Sequence, residues 1–257
     1  MSLANFTFDV LRGVSEVAIS PASRQFVNSV PKGDGHPVII CPGFMTDDDS
    51  TKRLRRFLAD KGYETHGWHL GRNTGFGTTG YNTEYLAVHI DNIVHNAGRK
   101  ASLVGWSLGG VMAREYARAN PNNVRQVMTL GSPVRGAPKG TLVYGLYKRF
   151  SDHAIDSDNA ARILNQIALP PKGIPCTSIF SKTDGVVPWR YSIELEDAYT
   201  DNIEVYGSHV GLGVNPAVYL AVSDRLALPE DQWEPFDRYA NPWRPAIFPS
   251  SGHNYPV

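Results

Sequence analysis

The stretch Leu103-Val104-Gly105-Trp106-Ser107-Leu108-Gly109-Gly110 decides how the rest of the chain is read. Its G-x-S-x-G spacing is that of a nucleophile elbow: a strand ends, the backbone turns sharply, and a helix begins. Such a turn lifts a serine hydroxyl to where it could attack a carbonyl. Side chains two residues either side of the serine would collide across the turn, and Gly105 and Gly109 remove them. Gly110 leaves room for the helix to approach a neighbouring strand. The flanks agree. Ala101-Ser102-Leu103-Val104 is a mostly apolar run suited to a strand covered on both faces, residues 111–118 are helix-compatible, and Pro121 follows their end. The same residues also suit a plain strand-to-helix turn with an incidental serine, so the reading depends on partners elsewhere.

A serine hydroxyl needs a base within hydrogen-bond reach, and the base needs an orienting carboxylate. Of the eight histidines, His36 precedes a strand, His66 and His69 fall in one, His89 and His95 suit a helix, His153 lies in an insertion and His253 in the tail. Only His209 directly follows a late strand, among small neighbours. Asp184, in the turn Thr183-Asp184-Gly185, follows the strand before that one; it also suits a turn-former bonding its own backbone. The chain order is then Ser107, Asp184, His209. Two fixed donors are needed for the oxyanion. Leu108 N–H opens the helix behind the serine. The second is expected from Pro42-Gly43-Phe44-Met45, with Phe44 N–H as the first choice and Met45 as the second.

Around the elbow the chain alternates strand and helix. Strands are expected at residues 36–44, an apolar run, at 63–70, which alternates, and at 124–130, 176–181 and 203–207. Helices are expected from Asp47-Asp48-Asp49-Ser50 to Lys61-Gly62, around Leu86 to Val94, and at residues 215–228. This rhythm predicts a doubly wound, mostly parallel α/β sheet in a single domain. The three aspartates read as helix capping in preference to a metal cluster. The Gly-rich residues 71–80 lack a phosphate-loop signature and read as a loop at the carboxyl edge of the sheet, near the site. Residues 139–171 interrupt the rhythm and read either as a short cap over the site or as packing. Residues 3–20 read as a surface helix. From Pro229 the chain carries six prolines and six aromatics, and is expected to lie extended over the body, anchored by Trp233, Phe236, Tyr239, Trp243 and Phe248.

Composition narrows the function classes. The 257 residues carry 25 basic and 25 acidic side chains, with no basic stripe to suggest nucleic acid. No apolar run approaches the ~18 residues of a membrane helix. The first residues lack a secretory leader, which predicts a cytoplasmic location. Cys41 and Cys176 sit in apolar runs and read as buried free thiols, and no Cys/His spacing resembles a zinc site.

The elbow, Cys41-Pro42-Gly43-Phe44, residues 130–138, Thr183 to Pro188 and Ser208-His209-Val210-Gly211 together resemble the α/β-hydrolase superfamily, specifically its bacterial lipase and esterase branch. The resemblance covers roughly residues 36–226. It differs where many relatives have His-Gly before the oxyanion residue, since Pro42 stands in place of the histidine. It implies hydrolysis of carboxylic esters with no metal or organic cofactor. The roles implied are Ser107 as nucleophile, His209 as base then acid, Asp184 as orienting acid, and Phe44 and Leu108 as oxyanion donors. The expected substrate is a small-molecule or lipid ester, cleaved faster than a matched amide through an acyl-enzyme. Phe44, Trp106 and the aromatics of residues 76–81 and 144–150 suggest an apolar acyl pocket. An acyltransferase would use the same residues, and a non-catalytic binding protein would share only the fold. A haloalkane dehalogenase is disfavoured because that chemistry uses a carboxylate at position 107.

Overall fold

The computed structural model describes residues 30–80, 83–135 and 168–255. Six strands form one sheet: β1 (Pro37–Cys41), β2 (Glu64–Gly67), β3 (Ala101–Trp106), β4 (Val124–Leu130), β5 (Cys176–Phe180) and β6 (Thr200–Glu204). Their order is β2-β1-β3-β4-β5-β6, and every pair is parallel. Among the described residues the α-helices are α1 (Asp48–Asp60), the single turn α2 (Phe76–Thr79), α3 (Glu84–Ala97), α4 (Leu108–Ala119), α5 (Pro216–Leu226) and the single turn α6 (Arg244–Ile247).

Strand alternation produces two cores. Along β1, Val38 and Ile40 face one side, where Leu54 and Leu58 of α1 and Val218, Ala221 and Val222 of α5 pack. Ile39 and Cys41 face the other, against Leu86 and Ile90 of α3 and Val111 and Met112 of α4. Both faces being covered explains why β1 and β4 are buried along their whole length. The sheet is therefore doubly wound, as expected. Cys41 and Cys176 are buried free thiols, and burial pushes the Cys41 thiol up to about 12.

The strand order reverses between β1 and β3. Their carboxyl ends are in register, Cys41 opposite Gly105, so the loops leaving them emerge side by side at a topological switch point. Leu130 pairs with Ile179, and Phe180 with Glu204, which brings the loops after β4, β5 and β6 to the same edge.

Several boundaries differ from the sequence expectation. β2 stops at Gly67 because Asp48, in the first turn of α1, accepts the Trp68 and His69 amides at 2.9 and 3.1 Å. His69 thus lies beyond the strand, at φ 54°. Asp47 caps α1 by accepting from Asp49 N–H, so the aspartates serve the helix end. β6 runs three residues earlier than expected. Its polar start Thr200-Asp201-Asn202 has no apolar alternation, yet it is buried because the C-terminal segment covers it. Glu204 N–H donates to Ser250 O at 2.9 Å, Gly252 N–H to Asn202 O at 2.9 Å, and the Asp201 carboxylate accepts Phe236 N–H at 2.6 Å.

Phe236 and Phe248 anchor that segment in the core, ring to ring at 4.8 Å. Trp233 and Trp243 are half-buried, and Tyr239, expected as an anchor, is 72% exposed. Its ring is covered by the Arg238 guanidinium and not by the body. Residues 3–20 and most of the expected insertion at 139–171 lie outside the described residues. Among the described residues, no helix is long and apolar enough to cross a membrane.

Candidate active site

Ser107 sits between β3 and α4 with φ 53° and ψ −121°, a backbone conformation that L side chains rarely adopt. The strain is held from both sides. Ser107 N–H donates to Leu130 O at 2.9 Å, which keeps the turn on the sheet, and Gly110 N–H closes back onto Ser107 O at 3.1 Å. The glycines are sterically required. A Cβ on Gly105 would stand 2.2 Å from Gly110 Cα, and one on Gly109 would stand 2.4 Å from Cys41 O. The helix begins at Leu108, immediately after the serine, so its first amides lack intrahelical acceptors.

Asp184 and His209 meet at this edge. The Asp184 Oδ2 to His209 Nδ1 distance is 2.6 Å, and both side chains are more than nine-tenths buried. Asp184 Oδ1 accepts the Val186 and Val187 amides at 2.8 and 2.7 Å. The turn-former role and the carboxylate-partner role are thus filled at once, one by each oxygen. With Nδ1–H donating to the carboxylate, Nε2 carries the lone pair of a neutral imidazole. The loops carrying these residues share an acceptor: Ser181 and Thr183 hydroxyls both donate to Gly207 O, at 2.7 and 3.0 Å.

Two contributors were not evident in the sequence. Gly131, at φ 56°, leaves the space in which the pair sits. A Cβ there would lie 2.9 Å from Asp184 Oδ2 and 3.2 Å from His209 Nδ1. Trp106, read from the sequence as lining an acyl pocket, also donates its indole N–H to His209 O at 3.2 Å, tying the elbow to the histidine loop. The only available signals were the position of each at a strand end.

The loop after β1 lies against the serine: a Cβ on Gly43 would be 3.5 Å from Ser107 Cβ. Phe44 follows on this loop. Met45 does not suit the donor role, because its N–H already donates to Asn73 O at 2.7 Å. The Gly-rich loop does reach the carboxyl edge, through this bond and through Asn73 Nδ2–H, which donates to Pro42 O.

A hydrogen-bonded Ser-His-Asp array lies at the opposite edge of the sheet. His36 Nε2 is 2.7 Å from Ser102 Oγ, and Nδ1 is 2.5 Å from Asp34 Oδ1. It lacks what the first array has. Ser102 is a mid-strand residue with no exposed surface, and no helix starts behind it. In this array Ser102 and His36 are fully buried and only the Asp34 carboxylate reaches solvent, so the hydroxyl is closed off, whereas Ser107 is partly exposed.

Similar proteins agree with this architecture. Aspergillus fumigatus lipase B superposes with a TM-score of 0.59 at 17% identity, over 79% of this chain and 56% of that one. The Paleococcus ferrophilus monoacylglycerol lipase superposes with a TM-score of 0.55 at 18% identity, over 77% and 95%. At these identities the likeness is one of fold. In sequence, the pimeloyl-[acyl-carrier protein] methyl ester esterase of Shewanella sp. (strain MR-7) is 26% identical over 115 residues, spanning 45% of this chain and 42% of that protein. A model of the alpha/beta hydrolase family matches residues 38–257, from the first strand through the C-terminal segment, and the chain belongs to that family.

Proposed function

We propose that this chain hydrolyses carboxylic esters through an acyl-enzyme. The observation that carries the reading is the buried 2.6 Å Asp184–His209 pair, at the same sheet edge as a serine held at positive φ. The likeness to a methyl ester esterase, and to lipases in fold, supports an ester over other acyl compounds.

Ser107 Oγ attacks the ester carbonyl while His209 Nε2 takes its proton. Asp184 holds the Nδ1–H and stabilises the imidazolium that forms. Negative charge collects on the carbonyl oxygen, and Leu108 N–H, at the positive end of α4, stabilises it together with Phe44 N–H. Collapse of the intermediate expels the alcohol, which receives the proton from His209. Water then attacks the acyl-serine, with His209 again as base, and releases the acid.

Ser107→Ala tests the reading on a series of p-nitrophenyl acyl esters. Its kcat is expected to fall by at least about 10³-fold with the fold intact by circular dichroism. Turnover of Ser107→Ala at the wild-type rate overturns the proposal.

A further inference from the structure

Of the two oxyanion donors, Leu108 N–H is fixed by a helix. Phe44 N–H lies on the connecting loop after β1. Such a donor contributes fully only if it is aimed before charge develops. The residue that holds this loop comes from the distant connection after β2. Asn73 is 0% exposed and polar, and it bonds the loop three times. Its Nδ2–H donates to Pro42 O at 2.8 Å. Its backbone N–H donates to Thr46 O at 2.8 Å, and its carbonyl accepts Met45 N–H at 2.7 Å. Its Oδ1 accepts Gly75 N–H at 3.0 Å, which fixes the amide plane. Phe44 is thus bracketed, with its preceding segment held at Pro42 and its following segment at Met45 and Thr46. Inside the loop, Thr46 Oγ1 closes onto Gly43 O at 2.7 Å.

The Pro42 carbonyl also faces α4. A Cβ on Gly109 would be 2.5 Å from Pro42 O, so the oxygen held by Asn73 packs on the first turn of the helix that supplies Leu108. Bonding at this atom sets the spacing between the two donor segments. The position demands a donor and an acceptor in one short planar group. Aspartate would keep the acceptor for Gly75 but set an oxygen against Pro42 O, and alanine would leave both backbone groups without these bonds.

We infer that Asn73 is a positioning residue that preorganises the 42–46 loop for oxyanion stabilisation. The inference rests on Ser107 being the nucleophile. It concerns an amide that touches neither the serine nor the histidine, and it acts only on the transition state.

The test compares Asn73→Asp and Asn73→Ala with wild type and Ser107→Ala, using p-nitrophenyl butyrate and an aliphatic trifluoromethyl ketone that mimics the tetrahedral adduct. For both Asn73 variants kcat is expected to fall by about 10- to 100-fold with KM within about twofold, and affinity for the ketone to weaken in proportion to kcat. Leu58→Ala, a core truncation away from the site, controls for lost stability. Assayed well below its midpoint, it is expected to keep kcat. Wild-type kcat and ketone affinity in a folded Asn73→Ala, with Ser107→Ala inactive, overturn the inference and leave the site reading intact. A fall in kcat that Leu58→Ala matches overturns it as well. Full activity in Ser107→Ala removes the site reading, and the inference falls with it.

Discussion

At the scale of single residues, the site depends on places where a side chain is absent or shared. Gly131 is the sharpest case. Its positive φ and the 2.9 Å approach of a virtual Cβ to Asp184 Oδ2 leave no room for a methyl group beside the Asp–His pair. Gly131→Ala is therefore expected to lower kcat by about 10²-fold or more by displacing the pair, a loss read in steady-state kinetics. Wild-type kcat in that variant would show that the pair tolerates displacement. That Ser107, Asp184 and His209 come to one sheet edge was legible in the sequence, because each lies just beyond a strand. Gly131 and Asn73 were not. Their partners lie far away in sequence, and for Asn73 they are backbone atoms that no residue pattern records. Met45 stood as the second choice of donor for the same reason, since the bond to Asn73 that occupies its N–H leaves no trace in residue types.

At the scale of elements, the site is assembled by ties between loops that leave neighbouring strands. Trp106 joins the end of β3 to the loop after β6 through His209 O. Trp106→Phe keeps the ring and removes the N–H, so kcat is expected to fall several-fold, about 3- to 10-fold, with His209 less well placed. An unchanged kcat would mean that the histidine loop holds itself. On the other side of α4, Arg114 is fully buried and pairs with Glu194 at 2.9 Å. It also donates to Val134 O and Leu169 O, on either side of residues 136–167, so both flanks are tied to the helix that starts at Ser107. Burial pushes the Glu194 carboxyl up, against the pull of the Arg114 guanidinium. β1, β3, β4 and β5 were readable as apolar runs. The start of β6 was not, because a buried polar strand is stabilised by partners on another segment and shows no periodicity.

At the scale of the whole molecule, the C-terminal segment closes the open edge of the sheet and completes one core. Phe248 is buried against Phe236, so Phe248→Ala is expected to destabilise the fold by about 3–5 kcal/mol in denaturant unfolding. A loss under about 1 kcal/mol would show the segment to be dispensable. The amino-edge network contributes to the response to acid. Burial holds the His36 pKa below its ordinary 6.5, outweighing the Asp34 carboxylate, so the unfolded chain takes up a proton that the folded chain refuses. Its contribution is complete above about pH 6.5 and is lost as pH falls through 6.5 toward the folded value. Burial opposes the charge on Asp34, but its bonds to Arg125 and His36 outweigh burial and hold the carboxyl well below the usual range. That contribution is present above pH 3.8 and is lost on further acidification. The melting temperature is thus expected to fall between pH 7 and pH 5, less steeply in His36→Gln; equal slopes would remove His36 as the cause. The doubly wound architecture was legible from the strand–helix rhythm, whereas the tail's bonds to β6 depended on pairings that composition does not encode. The central claim is a covalent acyl-Ser107 intermediate. Rapid quenching of the protein with p-nitrophenyl acetate, followed by peptide mass analysis, tests it most directly. The account predicts a burst of p-nitrophenol and a single acetyl group on Ser107; steady turnover with Ser107 unmodified and the acetyl group on another residue would contradict it.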